Sequence, residues 1–252
     1  MRVAPARWLR AALAAAVVAT VCVSVFDLTV SERVVDRAVG VEQQHAARRA
    51  LAVPEQFSRG QQRGGLVLAE LLYAIGIAFI VAGLAILLGR TRRPAGRWLA
   101  LSAAGAWCLA VVPALALPPL PPGAEAAASI DARRVTFVAA AAIATLGCVA
   151  AAWGWRRVGA RRPAARLLAA AAPLAAAALI VEAALPADRL VNRVDSSLLR
   201  DFRLASFASQ GLFWIACAAG GMVALRRPSG RSRGVLRGGD RDRRARGAEP
   251  GN

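Results

Sequence analysis

The chain has 252 residues, is 57% hydrophobic and carries a formal charge of +18, with arginine supplying all 33 cationic side chains. Without lysine there is no Walker A phosphate loop, Schiff-base nucleophile or lysine base, so the chain is expected to be neither an ATPase nor another enzyme. One histidine and four cysteines, with no C-x-x-C pair, leave no closed high-affinity metal centre and no tightly bound cofactor.

The first apolar run, Trp8 to Phe26, is led by Arg2, Arg7 and Arg10 in the manner of a secretory signal. It ends at Phe26-Asp27 without a small-x-small cleavage pattern, so an uncleaved first span is expected. A connection from Asp27 to Gly64 follows, in which Ser31 is read as the N-cap of a short helix continuing from the first span or packed under it. Glu42 and His45 lie three residues apart on one face of that helix. The pair is either a weak divalent-cation site or a solvated surface pair, and Arg48 and Arg49 oppose a cation there.

The second run, Gly65 to Gly89, holds Glu70 about 8 Å from its start. The third, Trp98 to Leu117, contains Pro113 and leads into "PPLPPG" at Pro118 to Gly123, which cannot be helical and reads as an extended strap. Val135 to Trp155 is the fourth run. Leu167 to Leu185, the fifth, contains Pro173 and carries Glu182 three residues from its end. The sixth, Leu204 to Leu225, precedes a tail of Gly, Arg, Ser and Asp that cannot bury enough surface to fold.

Each run is about 20 residues, the length that a ~30 Å hydrocarbon layer demands of a helix. The arginines alternate in density along the connections. With both termini cytoplasmic, 21 lie inside and 12 outside, which obeys the positive-inside rule. The high charge is therefore a topology signal and not a nucleic-acid footprint. Glycine and alanine within the runs permit close helix approach, so one compact bundle is expected. Pro113 and Pro173 should kink or loosen their helices. The resulting fold class is all-α: a polytopic membrane helix bundle in the lipid bilayer, with six transmembrane helices over residues 1–226 and a disordered arginine-rich cytoplasmic tail over residues 227–252.

Glu70 and Glu182 sit at similar shallow depth. Intramembrane carboxylates are costly, so the two either form a shared cation site or each reaches the interface to meet an arginine such as Arg63 or Arg189. Cys22, Cys108, Cys148 and Cys217 fall in four different spans and read as small buried apolar residues; spacing gives no support to a metal or redox cluster across helices.

Several segments together resemble the CbtA family, the probable cobalt transporter subunits of bacteria. They are "VDRAVGVEQQHA" at Val35 to Ala46, "SRGQQRGGLVLAELLYAIG" at Ser58 to Gly76, Val112-Pro113 with the "PPLPP" strap, Ile130 and Arg133, "LPADRLVNRV" at Leu185 to Val194, and "FRLASFASQGLFW" at Phe202 to Trp214. The likeness runs to about Leu225. It implies a multi-pass protein of the bacterial inner membrane for cobalt uptake linked to cobalamin supply, with cobalt as the transported ion. It also implies a small histidine-containing membrane partner, CbtB-like.

The positions matching the family pattern are Glu42, His45, Arg59, Gln62, Tyr73, Pro118, Pro121, Pro122, Arg133, Phe202, Arg203 and Gln210, which the resemblance assigns to an outer mouth. Arg59, Arg133 and Arg203 would repel a dication, so their expected task is pairing with acids and headgroups. The family strap carries a lysine and a tyrosine before its first proline and an asparagine before its second proline pair. Here stand Ala116, Leu117 and Leu120, with Glu125 just beyond, the pattern of a divergent member. Two functions are compatible with this: a permease subunit for a divalent cation, and a non-transporting membrane scaffold or assembly factor that retains the fold.

Overall fold

The structure is a computed structural model that describes residues 4–48, 58–89, 91–122, 124–159, 161–185, 190–191 and 194–226; side chains at positions 41, 42 and 44–48 are outside what it describes, as is the tail at residues 227–252. Among the described residues, six helices are long and apolar enough to cross a membrane. The first is one continuous rod made of α1 (Pro5–Phe26), a wider π-helical turn (Asp27–Ser31) and α2 (Glu32–Arg48). Ser31 therefore does not cap a new helix as expected. Its hydroxyl instead donates to Asp27 Oδ1 at 2.6 Å inside the π turn.

The second span is α3 (Arg59–Leu87), which starts six residues before the apolar run does. Ser58 and Gln61 form a reciprocal capping box there: the Gln61 N–H donates to Ser58 Oγ at 3.3 Å and the Ser58 N–H to Gln61 Oε1 at 2.9 Å. The third span is broken into α4 (Pro94–Ala106), a second π-helical turn (Trp107–Val111) and α5 (Val112–Ala116). Pro113 in the first turn of α5 has no N–H to donate back into the preceding turn, which accounts for the loosened ladder just before it. The fourth to sixth spans are α6 (Ile130–Arg157), α7 (Pro163–Ala184) and α8 (Ser196–Arg226). Asp195 caps α8, accepting from the Ser197 hydroxyl at 2.5 Å and the Ser197 N–H at 3.2 Å, and these donors hold its carboxyl below the usual range.

The helices form a bundle of two packing groups joined through the third span. In the first, α1 lies between α3 and α8, and α4 closes on α8. The middle of the buried face of α1 is alanine, with Ala11, Ala12, Ala15, Ala16 and Ala19 at helical spacing between Trp8 and Val23. Lipid tails are as apolar as leucine, so these helices gain little from hiding apolar surface and much from close van der Waals contact between backbones. Trp98 of α4 is fully buried and donates its indole N–H to the Cys217 carbonyl at 3.1 Å. The second group is the α6–α7 hairpin, packed through small residues and joined to the rest mainly by α5 and its π turn. A Cβ on Gly154 of α6 would fall 2.5 Å from the Ala169 carbonyl oxygen of α7, so only glycine permits that approach.

The N-terminal end of α1 and the C-terminal end of α8 lie on one face of the bundle, since the Arg7 guanidinium donates to the Leu225 carbonyl. Arg97 on the same face donates to the carbonyls of Ala85 (3.0 Å) and Gly89 (2.7 Å) at the C-terminal end of α3. Arg157 and Arg166 stack over Trp153 and Trp155 with centroid distances of 4.5 and 4.0 Å, an aromatic and cationic rim of the kind found at membrane interfaces. At the opposite face lies the strap, and Ala126 just after it forms an isolated antiparallel bridge with Leu190.

A Cβ on Gly221 would fall 2.1 Å from Cε2 of Trp98, while one on Gly76 meets nothing within 4 Å. Gly221→Ala should therefore cost about 1–3 kcal/mol through overpacking. Thermal unfolding in detergent is expected to show a lowered midpoint for Gly221→Ala and none for Gly76→Ala; equal midpoints would contradict the packing described.

Candidate functional site

At the strap face, the π turn alters how the first span presents its side chains. An extra residue per turn widens the helix locally and re-aims what it carries. Asp27 accepts from Ser31 Oγ four residues on and, at 3.0 Å, from Ser209 Oγ of α8. Ser24, three residues earlier, donates its hydroxyl to Glu70 Oε2 of α3. Asp27 is the acidic neighbour of Glu70, and the second oxygen of Glu70, Oε1, is buried with no hydrogen-bond donor among the described residues. Two carboxylates and three hydroxyls from α1, its π turn, α3 and α8 thus converge, an oxygen set of the type that binds hard and borderline divalent cations.

Beside this cluster is a cavity of about 570 Å³, walled by the π turn, α2, the first turns of α3, the middle of α8 and Pro119 of the strap. Its arginines are already paired. Arg63 meets Glu32 at 2.7 Å and Arg59 meets Asp36 at 2.9 Å, both acids on α2; Arg37 of α2 meets Asp201 of α8 at 3.0 Å. Among the described residues, neither Asp27 nor Glu70 has a cationic partner. Adjacent carboxylates repel each other, and a bound cation would relieve that repulsion.

The residues singled out from the sequence distribute unevenly around this site. Arg59, Gln62, Phe202 and Gln210 line the cavity together. Tyr73, one turn below Glu70 on α3, packs against Phe213 of α8 in a tilted ring contact at 5.1 Å between centroids. Pro118, Pro121 and Pro122 belong to the strap, with Pro121 buried and Pro122 exposed. Arg133 stands in the first turn of α6, outside the cavity wall, and Arg203 on α8 has a buried Nε with no acceptor among the described residues.

Glu182 is exposed on α7, which packs on α6 and α5, so the acid beside Glu70 is Asp27. The alternative partner for Glu70, Arg63, pairs with Glu32; Arg189 lies outside the described residues. The side chains of Glu42 and His45 also lie outside the described ones. Their backbone is on α2, with position 45 about 20 Å further along the axis than Glu32. Asp27, Ser24 and Ser209 escape sequence reading because Asp27 reads as the end of the first apolar run and the two serines lie inside apolar runs, while Ser31 is read only as a helix cap. Their signal is the spacing of Ser24 and Ser31 around Asp27, three residues before and four after. Cys108 and Cys148, read as unrelated apolar residues, bring their Sγ atoms to 3.7 Å across two spans.

Six membrane-crossing helices with a polar cluster at one face define a polytopic α-helical membrane protein. The chain belongs to the CbtA family, described as probable cobalt transporter subunits, whose model matches residues 6–225, most of its length. Comparison with curated proteins and with solved structures finds no match.

If Asp27 and Glu70 face each other without compensation, removing one charge relieves the metal-free protein. Asp27→Asn is expected to melt in detergent at or above the parent midpoint in the presence of a chelator. A midpoint several degrees lower would mean that the carboxylate holds the fold together.

Proposed function

We propose that this chain is a permease subunit for uptake of a divalent cation, cobalt by family, in the cytoplasmic membrane of a bacterium, linked to cobalamin supply. The observation that carries the reading is the Asp27–Glu70 pair, left without a cationic partner while Arg59 and Arg63 beside it are paired with other acids. An all-oxygen cluster open to a cavity attracts a dication yet holds it less tightly than a closed centre of thiolates and imidazoles. Conduction needs that balance: favourable enough to enter and weak enough to leave.

In this reading both chain ends are cytoplasmic and the strap face is external, in keeping with the 21 to 12 division of arginines. Glu42 and His45, further out along α2, would meet the ion first. The family description as a subunit supports a partner, and a small histidine-containing membrane protein would supply the imidazoles that this chain lacks. With no lysine for a phosphate loop, the driving force comes from the ion gradient or from another subunit.

The scaffold reading draws on a specific observation: among the described residues no three His, Cys, Asp or Glu side chains gather as a metal centre. Labelled-cobalt uptake into cells or proteoliposomes separates the two. Asp27→Asn with Glu70→Gln should lower the initial rate about tenfold or more, equivalent to ~1.4 kcal/mol. Glu42→Ala with His45→Ala should lower it by a smaller factor. Uptake indifferent to the presence of the protein would remove the transporter reading.

A further inference from the structure

Two of the four cysteines meet where the two packing groups join. Cys108 lies in the π turn of the third span and Cys148 on α6, with Sγ atoms 3.7 Å apart. Val112, Ala144 and Val181 are fully buried in the same cluster, so the thiols sit in an apolar surrounding. The polar atom next to Cys108 is the hydroxyl of Thr145, which also donates to the Ala141 carbonyl at 2.7 Å. Cys22 and Cys217 belong to the other packing group, on α1 and α8.

We propose that Cys108 and Cys148 form a two-thiolate site for a thiophilic divalent cation of tetrahedral preference, the class of Zn²⁺, Cd²⁺ and Co²⁺. With metal–sulfur bonds of about 2.3 Å, a tetrahedral angle sets two sulfurs about 3.8 Å apart, whereas a linear ion would need about 4.6 Å. The observed 3.7 Å fits the tetrahedral edge. A disulfide would require the sulfurs to close to about 2.05 Å and an oxidant to accept two electrons.

Charge balance favours the same ion class. Each thiol releases one proton as its sulfur bonds the metal, so two Cys–SH and one M²⁺ give a neutral M(S–Cys)₂ and two protons to solvent. A neutral complex is tolerated in an apolar span where a bare dication is not. The Thr145 hydroxyl is a further neutral oxygen, and with only two thiolates the coordination stays open, unlike the closed four-ligand centres that hold structural metals. Thiolate donors also discriminate against Mg²⁺ and Ca²⁺, which the oxygen cluster around Asp27 does not. This site does not depend on the transport reading; that reading only makes cobalt the natural probe.

The test is a Co²⁺ titration of the reduced, full-length protein in detergent under anaerobic conditions, following thiolate-to-cobalt charge-transfer absorbance in the near ultraviolet. A band saturating near about one ion per chain with release of about two protons is expected. It should fall at least tenfold in Cys108→Ala and Cys148→Ala and persist in Cys22→Ser and Cys217→Ser. In the unsubstituted protein, Cd²⁺ should slow N-ethylmaleimide modification of Cys108 and Cys148 together, a readout independent of whether the variants fold. No band, a band surviving Cys108→Ala, or thiols unprotected by Cd²⁺ would reduce the pair to an S–H···S contact and overturn the proposal. Uptake that persists while the band is absent would sink this site alone.

Discussion

Inside a bilayer the backbone must satisfy its own hydrogen bonds, and helices hold together only as closely as their side chains let them approach. The alanine face of α1 is the consequence on which the rest depends. It lets α3 and α8 lie against the first span, and only in that arrangement do Ser24 and Asp27, Glu70 and Ser209, from three separate helices, share one cluster. Bulkier residues on α1 would separate the helices and scatter those oxygens. The glycine of α8 under the Trp98 ring serves the same closeness from the other side.

Among the described residues the ladder departs from regular α geometry at two π turns, and each carries a side chain able to bind a cation. Asp27–Ser31 carries the acid of the polar cluster, and Trp107–Val111 carries Cys108. Widened turns are enriched at functional positions because they change side-chain direction without ending the helix. Between them the charges are sorted. The arginines of α3 pair with acids of α2, which fixes the outward extension of the first span over the cavity and leaves the deeper carboxylates uncompensated. Of the arginines that would repel a dication from the mouth, Arg59 is neutralised by Asp36, as Arg63 beside it is by Glu32.

Much of the architecture was legible in the residues. Twenty-residue apolar runs announce spans because no other element buries them, and "PPLPP" announces a non-helical strap because proline cannot continue a helix. Ser58 and Gln61 carry a readable start signal for α3. The grouping of Arg59, Gln62, Phe202 and Gln210 followed from family likeness alone, since no spacing rule joins residues on α3 to residues on α8. The partner of Glu70 was not legible: hydropathy counts Asp27 as the end of a span, and the π turn that holds it at depth has no compositional mark. Nor does spacing reveal that Cys108 and Cys148 meet, or that the hairpin of α6 and α7 stands apart, because both depend on the tertiary register of the third span.

The central claim is an externally open, cation-attracting cluster at Asp27 and Glu70, and cysteine accessibility at Ser209 tests it most directly. With the native cysteines replaced, Ser209→Cys in intact cells should react with a membrane-impermeant maleimide added outside, and millimolar cobalt should slow that reaction. Modification only after the membrane is breached, or at a rate cobalt does not change, would contradict the account.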